Sequence, residues 1–384
     1  MADLPGDIIQ EILYRLPVKS LMRFQCVCKS WQVLIKNPDF VSKHLSLAIT
    51  DKTQHHVIVS AENRKRHSLS WVSYEEETGS YVCKVIEEGS TASYQSYLGV
   101  LDHCNGIICL AVDDDVVLLN PGIRQSRRLP ETCIRSSDGD WDRDYFTCSV
   151  GFGYDPRSSD YKVVRIWNSN VDDHVRIEVY TMSSNSWREI FSFVEYFADY
   201  FVWGTERKRY LNGSCYWLGQ EEYYSEDEPD SDEEGNDSEI IVSFDMSNEV
   251  FQKISTPDDF HSRGFYNNGL HILKGSLSLV QCPWLAFQEK LLKVWVRNES
   301  GVNGVWTQLK TVRLFPIART PLLFWKDDDI LVKCNNWKDL VSYNVGTQHI
   351  DDIPIFAEVI NVGVSCNIRC AETYVCSLVS VWGN

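Results

Sequence analysis

Val116-Val117-Leu118-Leu119-Asn120-Pro121-Gly122, followed after a polar gap by Arg128-Leu129, is the stretch on which the fold turns. Its run of branched aliphatic residues suits a buried, pleated strand. Asn-Pro-Gly then supplies a turn, because proline fixes φ and asparagine and glycine tolerate unusual backbone angles. The same unit recurs: a strand ending in an aromatic residue or Asn, a polar turn, and a second strand with an aromatic or basic residue. It is read at Val72-Ser73-Tyr74 with Tyr81-Val82, at Glu178-Val179-Tyr180 with Trp187, and at Val242-Ser243-Phe244-Asp245 with Phe251. Val294-Trp295-Val296 with Trp306 and Val341-Ser342-Tyr343-Asn344 with His349 complete the set. The anchors Tyr74, Asn120, Tyr180, Phe244, Trp295 and Tyr343 are 46, 60, 64, 51 and 48 residues apart. That spacing is near the roughly 40–50 residues of a four-stranded propeller blade with loops added. Six units fill residues 47–384, and closing them into a ring removes the exposed sheet edges of an open array. The run Tyr374-Val375-Cys376-Ser377-Leu378-Val379 is expected to complete the first blade and close the circle. An open pair of β-sandwiches is the alternative.

The first 45 residues read differently. Pro5 suits a first helical turn. Ile8, Ile9, Ile12, Leu13 and Leu16 recur at helical spacing, and Pro17 ends the helix by biasing Leu16 out of the α region. A second series, Leu21, Phe24, Val27, Cys28, Trp31, Leu34 and Ile35, is spaced by three and four and lines one face. Asn37-Pro38-Asp39 breaks the pattern, leaving Phe40 and Leu45 for a short last turn. The expected organisation is α+β and multidomain: a three-helix module at residues 1–46 and a mainly-β, six-bladed, propeller-like domain at 47–384.

Of 384 residues, 43% are hydrophobic and 24% charged, which marks a folding globular chain. No run of 18 apolar residues is present, and Asp3 stands where a secretory leader would carry a base. A cytoplasmic or nuclear location is therefore expected. The 13 cysteines are scattered singly and read as free thiols. Cys366 and Cys370 have no second Cys/His pair nearby, so no zinc site is expected.

The net charge is -17, but residues 1–45 sum to +2. An acidic body repels nucleic acid and anionic membrane and favours a basic protein partner. From Glu221 to Glu239 there are eleven acids and no base. Such a run repels itself and is expected to be a solvated loop, 221–239, projecting between two strands.

Motifs for chemistry are sparse. No Gly-x-Ser-x-Gly, Walker or His-Glu-x-x-His sequence occurs. Gly151-Phe152-Gly153 lacks a third glycine and reads as the start of a blade strand. Asp230-x-Asp232-x-Glu234-Gly235 has Ile241 where a calcium loop needs its bidentate Glu. No cofactor, metal or catalytic residue is assigned.

Leu4-Pro5-x-Asp7-Ile8-Ile9-x-Glu11-Ile12-Leu13-x-Arg15-Leu16-Pro17, with Leu21-x-Arg23-Phe24, Cys26-x-Cys28-Lys29-Ser30-Trp31 and later Phe40 and His44-Leu45, resembles an F-box of the plant group. The remainder resembles the F-box-associated domain of that group. The matching pieces are Cys104-Asn105-Gly106-Ile107, Leu119-Asn120-Pro121, Gly151-Phe152-Gly153-Tyr154-Asp155, Asp160-Tyr161-Lys162-Val163, Ser186-Trp187 and Leu211-Asn212-Gly213-x-Cys215-Tyr216-Trp217. Within the group the chain looks most like S-locus F-box proteins. No Gly-Gly pair occurs, which departs from the kelch repeat.

The resemblance implies a non-catalytic substrate receptor of an SCF-type (Skp–cullin–F-box) ubiquitin ligase. Its partners would be a Skp-type linker, a cullin and a protein target, with secreted ribonucleases as the target class of S-locus members. Candidate linker-binding residues are Leu4, Pro5, Ile8, Leu16, Pro17, Leu21 and Trp31, while Ile12, Leu13, Phe24 and Leu34 are read as internal packing. Candidate target-binding acids lie on loops: Asp138, Asp140, Asp142, Asp144, Asp172, Asp173, Asp227, Asp232 and Glu233, with Asp258–Tyr266 as a fourth loop. The alternatives are an F-box receptor for an unrelated target, and a propeller enzyme or glycan-binding module.

Overall fold

Three hairpins turn on residue pairs with positive φ: Asn105-Gly106 (53° and 82°), Asn212-Gly213 (48° and 86°) and Lys274-Gly275 (51° and 78°). Two positive φ angles give the turn whose twist matches paired antiparallel strands, and Asn and Gly adopt them with little strain. In the computed structural model each joins the first two strands of a blade. The structure describes residues 5–51, 55–63, 66–75, 78, 80–90, 100–112, 115–134, 145–169, 175–191, 208–221, 238–260, 266–283, 290–298, 304–325, 328–334, 340–355 and 366–383.

Blade one holds β1 (His55–Asn63), β2 (Arg66–Glu75) and β3 (Ser80–Ser90), and blade two β4 (Val100–Cys104), β5 (Ile107–Val112), β6 (Asp115–Asn120) and β7 (Gln125–Arg128). Blade three is β8 (Tyr145–Asp155), β9 (Asp160–Ser169), β10 (Arg176–Thr181) and β11 (Ser186–Ile190). Blade four is β12 (Lys208–Leu211), β13 (Ser214–Glu221), β14 (Ser238–Asp245) and β15 (Val250–Ser255). Blade five is β16 (Tyr266–Leu273), β17 (Ser276–Pro283), β18 (Leu291–Arg297) and β19 (Trp306–Arg313). Blade six is β20 (Ala318–Trp325), β21 (Asp329–Cys334), β22 (Leu340–Asn344) and β23 (Ile350–Ile353). The last strand, β24 (Cys366–Val375), pairs antiparallel with β1 and gives blade one its innermost strand. The molecule is a six-bladed propeller closed by its own C-terminal strand.

Closure uses a strand upstream of the expected one. Only Tyr374 and Val375 of the expected run belong to β24, and residues 376–383 form a tail that packs elsewhere. The acidic segment differs at its ends. Glu221 pairs with Ser238, and Glu239 pairs with Gln220 and is buried. Glu239 escapes repulsion by accepting a 2.6 Å hydrogen bond from Asn268 Nδ2.

Six buried apolar clusters fill the six blade interfaces, for example Ile58, Leu69, Ile108, Leu119 and Tyr374 between blades one and two. Each fully buried aliphatic or aromatic side chain there contributes about 1.5–3 kcal/mol. The repeat's aromatic residues add directional ties. Trp187 Nε1 donates to Pro130 O (2.9 Å), Trp306 Nε1 to Ser255 O (2.8 Å) and Tyr343 Oη to Arg313 O (3.1 Å), each reaching back to the preceding blade. An aromatic body fills the interface while its polar tip satisfies a carbonyl. Gly153 serves the same packing, since a Cβ there would overlap the Tyr210 ring.

Four helices, not three, precede the propeller: α1 (Gly6–Tyr14), α2 (Val18–Phe24), α3 (Lys29–Lys36) and α4 (Pro38–Thr50). The second apolar series is cut between Phe24 and Lys29, where Cys28 is fully extended (φ -158°, ψ 163°). Asn37-Pro38 interrupts one helix and starts another. Asn37 Oδ1 accepts from Asp39 N–H at 2.7 Å and Pro38 occupies the first turn, so α4 runs for 13 residues, through position 46 and beyond.

Candidate protein-interaction site

Two prolines set the geometry of the helical module. Pro5 and Pro17 precede α1 and α2, and their carbonyls accept the first helical N–H groups, from Ile8 at 3.0 Å and from Ser20 at 2.9 Å. Leu13, Val18, Leu21, Ile35, Phe40 and Val41 turn inward and are buried. Tyr14 stacks on Phe40, with ring centroids 4.7 Å apart. His44, also buried, donates Nε2–H to Leu16 O, closing α4 onto the bend before Pro17.

Several apolar side chains of the helices face outward. Ile8 is 48% exposed, Ile12 49%, Val27 61% and Val33 71%, and Pro5 and Pro17 are exposed as well. Ile8 and Ile12 are four residues apart and share one face of α1. Ile8 and Ile12 thus form a small exposed apolar patch, which makes this module a candidate contact surface.

Against the sequence expectations the residues sort plainly. Pro5, Ile8 and Pro17 face solvent, and Leu16 and Trp31 are half-buried, Trp31 against Phe24 at 5.4 Å. Leu21 belongs to the core and offers nothing to a partner, because α2 packs that side inward. Ile12, expected inside, is half exposed. Leu4 lies outside the described residues. Ile12, Val27 and Val33 join the exposed apolar residues, and the two apolar stripes of α1, Ile8/Ile12 and Ile9/Leu13, contain more than one packed face requires.

The helical module sits at one face of the propeller. A Cβ on Gly122, in the β6–β7 turn, would lie 3.5 Å from Val18 Cγ1 of α2 and 3.3 Å from Ser377 O of the tail. In antiparallel four-stranded blades the first-to-second and third-to-fourth turns share a face. The second-to-third and blade-to-blade connections share the other. The strand ends flanking 135–144, 170–174, 222–237 and 261–265 therefore all point to the face opposite the helices. Asp138, Asp140, Asp142, Asp144, Asp172, Asp173, Asp227, Asp232 and Glu233 themselves lie outside the described residues, while Asp258 and Asp259 are described and exposed.

The propeller axis holds a small polar cavity of about 60 Å³, lined by Arg209, Asn268, His271, Thr320 and Cys370 among others. The lining Arg209 pairs with Glu372 at 3.0 Å, and Lys208, its neighbour in sequence, pairs with Asp102 at 3.5 Å. Burial, reinforced by Arg209, holds the His271 imidazole well below its usual pKa. Burial also pushes the Cys109 and Cys376 thiols up to about 12, which leaves them protonated and poorly nucleophilic. Among the described residues no group of three His, Cys, Asp or Glu could hold a metal ion, and no helix is long and apolar enough to cross a membrane.

Residues 80–381 match the F-box associated beta propeller domain, and residues 1–43 match the F-box domain. The chain belongs to the F-box-associated propeller family. An F-box/kelch-repeat protein of Arabidopsis thaliana is 29% identical, covering 89% of this chain and 88% of that one. The F-box protein CPR1 of the same plant is 27% identical, covering 92% of this chain and 86% of its own. The F-box match falls on the helices whose outward side is apolar, and the propeller match extends into the C-terminal tail.

Proposed function

We propose that this F-box protein is the target-recognition subunit of an SCF-type ubiquitin ligase, docking through α1–α3 to a Skp-type linker and through it to a cullin. The observation that carries this is the set of exposed apolar residues on the helices, Pro5, Ile8, Ile12, Pro17, Val27 and Val33, whose inward-facing neighbours are already packed in the core shared with the propeller. The opposite propeller face would hold the target. Such a receptor needs no nucleophile: it raises the local concentration of target lysines beside a charged conjugating enzyme. It would act in the cytoplasm or nucleus.

The net charge of -17 supports a basic target. The narrower reading, a secreted basic ribonuclease in a self-incompatibility response, follows from the S-locus resemblance together with that charge. Co-purification with a Skp-type linker and cullin tests the docking, and absence of both from the purified complex rejects it. A pull-down on immobilised basic ribonuclease at low and high salt tests the target class. Retention that does not weaken as salt rises rejects electrostatic selection.

A further inference from the structure

Asn120 stands at the meeting point of three parts of the chain. It ends β6, is fully buried, and lies more than 250 residues from the tail it holds. Its Nδ2 donates to Val379 O (2.7 Å), Ser377 O (3.2 Å) and Ser377 Oγ (3.3 Å). Its Oδ1 accepts from Gly122 N–H (3.0 Å) and from Tyr374 Oη (3.3 Å). One amide thus ties β24, the tail and the β6–β7 turn together.

The next residues extend the tie. Gln125 Oε1 accepts from Ser380 Oγ (3.0 Å) and Val381 N–H (3.2 Å), Arg127 Nη1 donates to Val381 O (3.1 Å), and the Arg127 guanidinium lies over the Trp382 ring at 5.1 Å. With its polar backbone satisfied, the tail can bury Leu378, Val379 and Val381. These join one continuous apolar cluster that includes Leu13, Val18, Leu21, Ile35, Phe40 and Val41 of the helices and Ile107, Phe152 and Tyr180 of blades two and three. The helices therefore share a core with the propeller, and the tail is part of that core. A chain joined only by the short segment between Thr50 and His55 would let two independent bodies tumble.

We propose that Asn120 and the tail 376–383 form a clamp that fixes the F-box helices at a set orientation to the propeller, making Asn120 a positioning residue for ubiquitin transfer. This rests on the ligase reading above. Linker docks on one side of the clamp and target on the opposite propeller face, so a rigid clamp sets the distance a target lysine must bridge. The clamp is distinct from both binding surfaces, and its loss should leave linker affinity intact.

The test uses the full chain with a protease site placed at residues 52–54, cut after purification. The unaltered halves should co-elute in size-exclusion chromatography. In Asn120→Asp, which removes the amide donor, and in a chain ending at Val375, they should separate. Separation of the unaltered halves, or co-elution in both variants, overturns the clamp. A second arm measures small-angle scattering of the uncut chains bound to a purified Skp-type linker. The expected result is one compact profile for the unaltered chain, and a larger maximum dimension for both variants with linker affinity changed less than about two-fold. A lower melting temperature with an unchanged profile would make the role merely structural and overturn the positioning claim. Failure of the unaltered chain to bind linker overturns the ligase reading and the positioning role with it, while the cut-chain arm still reads the clamp.

Discussion

His44 on α4 donates Nε2–H to the carbonyl oxygen of Leu16, 3.0 Å away, across 28 residues of sequence. A carbonyl can only accept, so the bond fixes the tautomer and leaves Nδ1 as a bare lone pair. Nδ1 is buried without a partner. Burial lowers the His44 pKa and outweighs the opposing effect of the Leu16 carbonyl. His271 is lowered by burial as well. In the unfolded chain both imidazoles titrate at about 6.5. Their contribution to stability is therefore complete above that pH and is lost as pH falls toward the depressed folded values, because the unfolded state binds the extra protons. The melting temperature should drop between pH 7 and pH 5.5, before carboxylates titrate. His44→Gln, which retains a donor for Leu16, should show a shallower drop. An equally steep drop in His44→Gln and in His271→Asn would refute this assignment.

The helices offer a second, sharper contrast. Leu21 is fully buried, and Leu21→Ala should destabilise by about 2–5 kcal/mol through lost burial and a cavity. Ile8 and Ile12 are half exposed, so Ile8→Glu with Ile12→Glu should change stability by only about 0.5 kcal/mol. The same pair should weaken linker binding by about 2 kcal/mol or more, as expected for residues at the centre of an interface. Calorimetry of both variants with a purified linker checks this. Unchanged affinity in the Glu pair would move the contact to another face.

Blade three contains a fully buried ion pair. Arg165 Nη1 lies 3.7 Å from Glu178 Oε1, and neither residue is exposed. Glu178 is further held by Trp167 Nε1 (3.1 Å), Thr132 Oγ1 (2.7 Å) and Cys133 N–H (3.1 Å), and the guanidinium lies over the Trp167 and Trp187 rings. Removing one partner strands a buried charge, so Glu178→Leu should cost about 3–5 kcal/mol. Arg165→Met with Glu178→Leu should recover most of that loss. Urea denaturation of the single and double variants measures it. A double variant no more stable than the single would show that the satellite hydrogen bonds dominate.

How much of this was readable beforehand follows from the range of each interaction. All six anchor residues of the repeat, Tyr74, Asn120, Tyr180, Phe244, Trp295 and Tyr343, fall on the third strand of their blade, and Tyr81, Trp187, Phe251 and Trp306 on the fourth. Strand pattern and turn residues are local, so the blades are legible. The break between α2 and α3 was hidden, because apolar spacing of three and four runs straight across Gln25–Cys28. The tail was hidden for the opposite reason: Leu378-Val379 looks like a strand, and its partner Asn120 is too distant in sequence to suggest otherwise. For the candidate site, α1 is apolar on two sides. Periodicity could not tell Ile12, which faces out, from Leu13, which faces in.

β24 is hydrogen-bonded to β1 from His55–Val375 to Asn63–Cys366, and among the described residues no other strand covers that edge. A chain ending at Ile355 would expose the inner edge of β1, a row of unpaired N–H and C=O groups on an apolar sheet, and leave Leu322 and Ile58 without their β24 neighbours in the adjoining clusters. It should aggregate or elute as a soluble oligomer. The chain ending at Val375 keeps the ring and should remain a monomer with propeller-like circular dichroism. Size-exclusion chromatography with light scattering separates these outcomes. A monomeric, cooperatively melting product from the shorter chain would mean that five complete blades and an open sixth interface suffice, and that the β1–β24 seam is not what holds the ring.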